Sequence, residues 1–196
     1  MGKSRLEAFS DGVLAIIITI MVLELRVPEG EDERLSALAP LIPVFLSYVL
    51  SFVYIGIYWT NHHHMLHTMK KVTGPILWAN LHLLFWLSLI PFVTAWMGET
   101  HFAAMPTALY GGILLMNAIA YTILQSLIIA SQGRESILRR AVGDGLKEKM
   151  SLALYVVSIP GAFVFPWISQ ACFVLVALIW LVPDRRIEKA LATGEP

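Results

Sequence analysis

The sequence predicts an all-α integral membrane protein, and its composition and charge pattern carry that prediction. Of 196 residues, 57% are hydrophobic and 14% are charged, whereas a soluble domain carries about 25% charged residues. The charges leave three long gaps, at Val72–Gly98, His101–Gly133 and Met150–Pro183. A helix of roughly 20 apolar residues spans a bilayer, so each gap holds at least one crossing. Helices close their own backbone hydrogen bonds in lipid, which an open sheet does not.

A single domain, residues 1–196, with six membrane-spanning helices follows from these gaps and from the apolar runs before them. Pro160, Gly161 and Pro166 interrupt the last gap, and proline breaks or bends a helix interior, so we divide that gap into two short crossings. A re-entrant hairpin is the alternative there. The polar stretch from Gln132 to Lys149 is predicted to be a short helix or a linker. The six helices cover approximately residues 6–25, 38–61, 75–96, 106–131, 150–165 and 168–182.

The basic residues predict a cell-membrane protein with both termini in the cytoplasm. With the N-terminus inside, twelve Lys and Arg residues fall on cytoplasmic segments and only Arg26 and Arg34 fall outside, as the positive-inside rule requires. The acidic stretch 29–33 then lies outside as well. The twelve cytoplasmic residues are Lys3, Arg5, Lys70, Lys71, Arg134, Arg139, Arg140, Lys147, Lys149, Arg185, Arg186 and Lys189.

Composition also excludes several classes of protein. The formal net charge is zero, so no basic patch points to nucleic acid. Cys172 is the single cysteine, which excludes an internal disulfide and a cysteine-ligated metal cluster. No removable signal peptide is predicted, because Asp11 breaks the first apolar run and no small-residue cleavage site follows. No cofactor is predicted either.

The first apolar segment has charged ends. Between Asp11 and Glu24 lie twelve uncharged residues, which cover about 18 Å as a helix, well short of a hydrocarbon core of about 30 Å. Both carboxylates must therefore face protein, water or the interface, and an ionisable residue in a spanning helix is by default a functional-site hypothesis. The residues alone predict a buried central helix. One of its faces, at i, i+3, i+4 and i+7, carries Ile16, Thr19, Ile20 and Leu23.

Four ordered blocks of the sequence resemble the transmembrane protein 175 potassium channels. The first block is the signature R-x-x-x-F-S-D, whose fixed residues here are Arg5, Phe9, Ser10 and Asp11, and it continues to Leu25. The resemblance is strong over the first half of the chain and rests on the number of spans beyond it. The other three blocks lie at Tyr58–His63, Leu77–Asn80 and Ile90–Thr94.

This resemblance implies a potassium-permeable cation channel and not an enzyme. Members with one six-span unit per chain are homotetramers, which places four copies of the first helix around a central pore in the bilayer. The implied constriction is a hydrophobic ring at Ile16, followed by pore layers at Thr19 and Leu23, with Ile20 on the same face. An aliphatic ring can gate by dewetting. The T-V-G-Y-G filter of ordinary potassium channels is absent from the sequence, so we expect a modest preference for K⁺ over Na⁺.

The remaining polar residues are assigned to helix packing and gating. The resemblance implies that Arg5, Ser10 and Asp11 hold the first helix in register against its neighbours. A gating or hydrogen-bond network is expected from Trp59, Asn61, His62, His63 and Asn80. The histidine cluster leaves three interpretations open, namely structural hydrogen bonds, zinc binding and pH sensing, the last two because imidazole ligates metals and titrates near neutral pH. No metal site is predicted, although the cluster comprises His62, His63, His64 and His67.

A secondary or proton-coupled cation transporter is the alternative function. Such a protein would use Asp11 or Glu24 as its titrating site, would saturate at low flux and would show coupling. A membrane enzyme with a histidine-bound metal is the third class. It requires a full ligand set, which a single histidine block does not supply.

Overall fold

The computed structural model of the chain describes residues 2–28, 34–133, 136–143 and 145–181, and every regular element within these ranges is helical. Short 3₁₀ segments extend the first helix at Met21–Glu24 and precede the second at Leu35–Leu41. The predicted outside acidic stretch, 29–33, and the predicted inside residues Arg134, Arg185, Arg186 and Lys189 lie outside the described residues. The helices are α1 (Lys3–Ile20), α2 (Ile42–His67), α3 (Gly74–Ser88), α4 (Ile90–Glu99), α5 (Ala104–Gln132), α6 (Ile137–Val142), α7 (Leu146–Val164) and α8 (Pro166–Leu181).

Four helical stretches in the described part of the chain are long and apolar enough to cross a membrane. Helix α8 is equally apolar but shorter, at 16 residues. Helix α7 has 19 residues and carries the charged residues Lys147, Glu148 and Lys149 in its first turn. The four long stretches are Lys3–Glu24, Leu35–His67, Gly74–Glu99 and Ala104–Gln132.

The crossing predicted at residues 75–96 lies within the apolar stretch Gly74–Glu99, which consists of two consecutive helices, α3 and α4. They meet at Leu89, and Pro91 lies in the first turn of α4. Proline has no N–H and its ring clashes with the preceding turn, so it favours a helix start over a helix interior. The Asn117 side chain of α5 donates from Nδ2 to the Trp86 carbonyl near this break, at 3.3 Å.

The final apolar gap is divided between α7 and α8 at Phe165, where the predicted segment 150–165 ends and shortly before the predicted segment 168–182 begins. Helix α7 continues through Pro160 and Gly161 to Val164. Phe165 alone, in an extended conformation, separates it from α8, which begins at Pro166. The two helices then pack against each other. A proline removes only one backbone hydrogen bond, and Pro160 lies close enough to the end of α7 for the helix to continue past it.

The core forms where α1 packs on α2, α3 and α4, and where α5 packs on α3 and α7. Polar side chains within this core bond to one another. Ser51 Oγ in α2 lies 2.7 Å from Thr94 Oγ1 in α4 and 2.9 Å from Tyr110 Oη in α5. Hydrogen bonds of this kind between helices hold membrane bundles together, because lipid offers no alternative partner. They fix the positions of the helices against which α1 is seated.

Candidate functional site on the first helix

Helix α1 has two contrasting faces. The buried face packs against the other helices. On the opposite face the Ile16 side chain is 62% exposed and the Leu23 side chain 72% exposed, with Thr19 and Ile20 also exposed between them. The four residues that the sequence singled out therefore lie together on one free, largely apolar face. The buried face consists of Leu6, Ser10, Leu14, Ile17 and Met21.

Thr19 is the polar member of the exposed face. Its hydroxyl donates back to its own helix, with Oγ1 at 2.9 Å from the Ala15 carbonyl and 3.1 Å from the Ile16 carbonyl. A hydroxyl has one proton and two lone pairs. The proton is thus committed to the backbone, while the oxygen keeps its capacity to accept from water or to face a cation.

A directional chain of hydrogen bonds holds the N-terminal half of α1 in place. His62 Nε2 in α2 donates to Asn80 Oδ1 in α3, at 2.7 Å. Asn80 Nδ2 donates to Ser10 Oγ, at 2.9 Å, and Ser10 Oγ donates to the Leu6 carbonyl, also at 2.9 Å. Ser10, His62 and Asn80 are all buried. Unpaired polar groups in such a position are costly, so these bonds tie three helices into one register.

The other residues of the signature, Arg5, Phe9 and Asp11, lie outside this chain of hydrogen bonds. Half-buried Asp11 accepts a hydrogen bond through Oδ1 from Trp59 Nε1 in α2, at 3.0 Å. Arg5 and Phe9 are exposed in the single chain. Within the described ranges, Arg5 forms no ion pair or hydrogen bond to Ser10 or Asp11. The structure therefore joins Ser10 and Asp11 to α2 and α3 and leaves Arg5 at the surface.

The histidine cluster is split between two sides of α2. His62 points into the core toward Asn80, whereas His63 and His67 are exposed, with ring centroids 6.2 Å apart. Asn61 is buried and bonds to the Ile57 carbonyl of its own helix, at 2.8 Å. Over the residues that the structure describes, no group of three or more His, Cys, Asp or Glu side chains is arranged to hold a metal ion.

Two features of the interior were not anticipated from the sequence. One is the hydroxyl cluster of Ser51, Thr94 and Tyr110 described above. The other is a cavity lined by α2, α5, α7 and α8, whose wall includes tyrosines from three helices and Glu148. Of the aromatic residues in this wall, only Tyr54 and Tyr58 could have been grouped from the sequence, because they are spaced i and i+4 on α2. The others are far apart in sequence and depend on how the helices pack.

Comparisons with known proteins agree with this architecture. Residues 5–91 match the family described as "Endosomal/lysosomal potassium channel TMEM175". The chain is 59% identical to a potassium channel from Chryseobacterium sp., over 97% of this chain and 98% of the relative. It is 32% identical to a potassium channel from Chamaesiphon minutus, over 87% of this chain and 90% of the relative.

A solved structure extends the likeness to the fold. It is the crystal structure of a lysosomal potassium-selective channel TMEM175 homolog from Chamaesiphon minutus, with a TM-score of 0.76 and 27% identity, covering 93% of this chain and 97% of that one. The prediction of an all-α, multi-pass membrane protein is confirmed, and so is the prediction that the chain is not an enzyme. With a relative this similar over its whole length, the chain belongs to the TMEM175 family of ion channels.

Proposed function

We propose that this protein is a potassium-permeable cation channel of the cell membrane, with the exposed face of α1 lining its pore. The observation that carries the proposal is the exposure of Ile16, Thr19, Ile20 and Leu23 along one face of α1 and its 3₁₀ extension, opposite the side that packs on other helices. The apolar segment between Asp11 and Glu24 is too short to span a bilayer unless these carboxylates are shielded from lipid. Around the axis of a homotetramer, four such faces would enclose a narrow path.

Conduction through this path would depend on the size and wetting of its apolar layers. Four Ile16 side chains form the proposed constriction, and an aliphatic ring of this kind closes by dewetting. No carbonyl cage of the T-V-G-Y-G type occurs in the sequence, so an ion passing the ring keeps much of its hydration. Potassium ions hold their water less tightly than sodium ions, which gives a modest preference for K⁺. The Thr19 oxygens would provide a polar step between apolar layers.

The R-x-x-x-F-S-D signature would serve to position α1 and not to bind ions. Its support is the hydrogen bonding of Ser10 to Asn80 and of Asp11 to Trp59. Arg5 and Phe9 are exposed in the single chain, and in the proposed tetramer they face the neighbouring subunit. The polar residues thereby set the register of the helix whose apolar face meets the permeating ion.

The proposed topology has six crossings with both termini in the cytoplasm, and α7 and α8 as the last two. The 16 residues of α8 cover about 24 Å, short of an average hydrocarbon core but within the range that local thinning accommodates. The charged residues at the start of α7 then lie at the cytoplasmic interface, in accord with the positive-inside rule.

Planar-bilayer recording of the purified protein tests the proposal. In a gradient of KCl we expect discrete single-channel steps whose reversal potential moves toward the Nernst potential of K⁺. A macroscopic flux that saturates, shows no unitary steps and depends on a proton gradient would instead identify the transporter alternative.

A further inference from the structure

A cavity lies between α2, α5, α7 and α8, away from the exposed face of α1. Its wall is largely aromatic and includes Tyr54, Tyr58, Tyr121, Tyr155 and Trp180. The carboxylate of Glu148 and the hydroxyl of Ser151, both near the start of α7, add a polar end to this wall. None of these residues has a role in the proposed conduction path, so the cavity is a candidate for a separate binding site.

Hydrogen bonds hold three of these aromatic side chains in place. Tyr54 Oη donates to the Phe173 carbonyl at 2.6 Å, and Tyr121 Oη donates to the Asn61 carbonyl at 3.4 Å. Trp180 Nε1 donates to Ser151 Oγ at 2.8 Å. Since these polar donors are occupied, the three side chains contribute their rings to the cavity wall. Such rings attract cations through their π faces.

Trp180 already holds a cation in the structure. The Lys147 ammonium lies 5.8 Å from the centroid of the Trp180 ring, within the distance at which cation–π attraction operates. Lys147 is not part of the cavity wall. The Trp180 ring therefore already interacts with one ammonium group of this chain.

Glu148 supplies the negative charge. Gln125 Nε2 donates to Glu148 Oε1 across a long 3.5 Å. An ionised carboxylate has about four acceptor sites, so this one bond leaves Glu148 able to accept more. A half-buried carboxylate beside aromatic faces attracts a cation more strongly than it would in open water, because the local dielectric constant is lower.

The size of the cavity limits the ligand. The cavity has a volume of about 40 Å³, and one water molecule needs at least about 10–15 Å³. The space thus suits a small head group of a few heavy atoms. We propose that the cavity binds a small alkylammonium cation, with its charge against Glu148 and its methyl groups against the rings of Tyr58, Tyr121 and Trp180.

Choline and 3,3-dimethylbutan-1-ol give a matched test, because the second is the uncharged isostere of the first. Calorimetric titration of the purified protein in lipid-free detergent should detect choline binding, with the isostere weaker by about tenfold or more. Glu148→Gln should lower choline affinity by about tenfold or more and leave the isostere unchanged. The control Glu99→Gln removes an exposed carboxylate near Arg26 and should leave choline affinity unchanged.

Equal binding of the two ligands would overturn the proposal, since the cavity would then be merely apolar. Choline affinity that persists in Glu148→Gln but falls in Ile16→Asn would overturn it as well, by placing choline in the proposed pore. Tyr121→Phe keeps the ring and should retain choline binding, whereas Tyr121→Leu should weaken it severalfold. The same titration in nanodiscs of phosphatidylcholine or phosphatidylglycerol identifies the source, because a lipid choline head group would compete only in the former.

Discussion

Asn80 joins α3 to two other helices through the two ends of a single side-chain amide. Its oxygen accepts from His62 and its nitrogen donates to Ser10. The sequence singled out all three residues, Ser10 through the R-x-x-x-F-S-D signature and His62 and Asn80 as members of an expected gating or hydrogen-bond network. It did not reveal the pairing, since partners that are 18 and 70 residues apart meet only through the rotation and register of three helices.

Replacing Asn80 by Ala should destabilise the protein by about 1–3 kcal/mol, because buried groups of His62 and Ser10 both lose their partner. Thermal unfolding in detergent measures the change. The double variant Ser10→Ala/Asn80→Ala should lose less than the sum of the single losses, since the two residues share one bond. Ser88→Ala, which alters an exposed serine bonded only within its own helix, should change stability by less than about 0.5 kcal/mol. Equal losses for Asn80→Ala and Ser88→Ala would contradict this account.

Substitutions at Asp11 distinguish the proposed channel function from the transporter alternative. Asn at this position keeps an oxygen that accepts from Trp59 Nε1 but removes the charge and the titration. We expect Asp11→Asn to conduct nearly as well as the unmodified protein, and Asp11→Leu to lose conduction through loss of the anchoring bond. Bilayer recording measures both. Abolished transport in Asp11→Asn, with folding intact, would favour a role for the carboxylate in coupling.

At the scale of the helices, local signals of the sequence were read correctly at some points and not at others. The start of α4 next to Pro91 was missed because an uninterrupted apolar run concealed it. The predicted segment 150–165 agrees with the structure, because α7 continues through Pro160 to Val164 and α8 begins at Pro166. Pro91 and Pro166 both lie in the first turn of a helix, where the missing N–H of proline costs no hydrogen bond.

The closest approach of α4 to α2 depends on Gly98. A Cβ atom placed there would lie 2.5 Å from Ser47 Oγ and 2.8 Å from Val44 Cα, and a backbone atom cannot move aside easily. Gly98→Ala should therefore lower the free energy of unfolding by about 1–3 kcal/mol through overpacking. Gly112→Ala in α5 is the control, because nothing lies within 4 Å of its Cβ position. It should be neutral or slightly stabilising, and a melting temperature that falls equally in both variants would refute the packing explanation.

At the scale of the whole molecule, the single chain leaves an apolar face of α1 uncovered, and this is the face that the proposed tetramer would bury. The periodicity of Ile16, Thr19, Ile20 and Leu23 indicated a shared face, but did not distinguish packing inside one chain from a surface between chains. The structure narrows this choice, because the buried side of α1 is occupied by other residues. In the proposed tetramer neighbouring copies cover the exposed side, and no sequence pattern within one chain describes contacts between copies.

Native mass spectrometry should give an assembly of four times the 21.8 kDa of one chain. In a Cys172→Ala background, Leu23→Cys should form inter-subunit cross-links with a short bis-maleimide, since the proposed axis brings the four cysteines together. Leu175→Cys on α8, a position that is 49% exposed in the single chain, is the control and should remain uncross-linked. A monomeric mass, or cross-linking at position 175 but not at 23, would contradict the arrangement.

The proposal that α1 lines the ion path is tested most directly by Ile16→Asn, recorded in planar bilayers with K⁺ on one side and Na⁺ on the other. A polar side chain wets the proposed ring, so single-channel conductance should rise and the reversal potential should move toward zero as the preference for K⁺ falls. Val157→Asn introduces the same side chain at a 55% exposed position on α7 and should change neither quantity. Conductance and reversal potential that are unchanged in Ile16→Asn would contradict the assignment of the pore to this face.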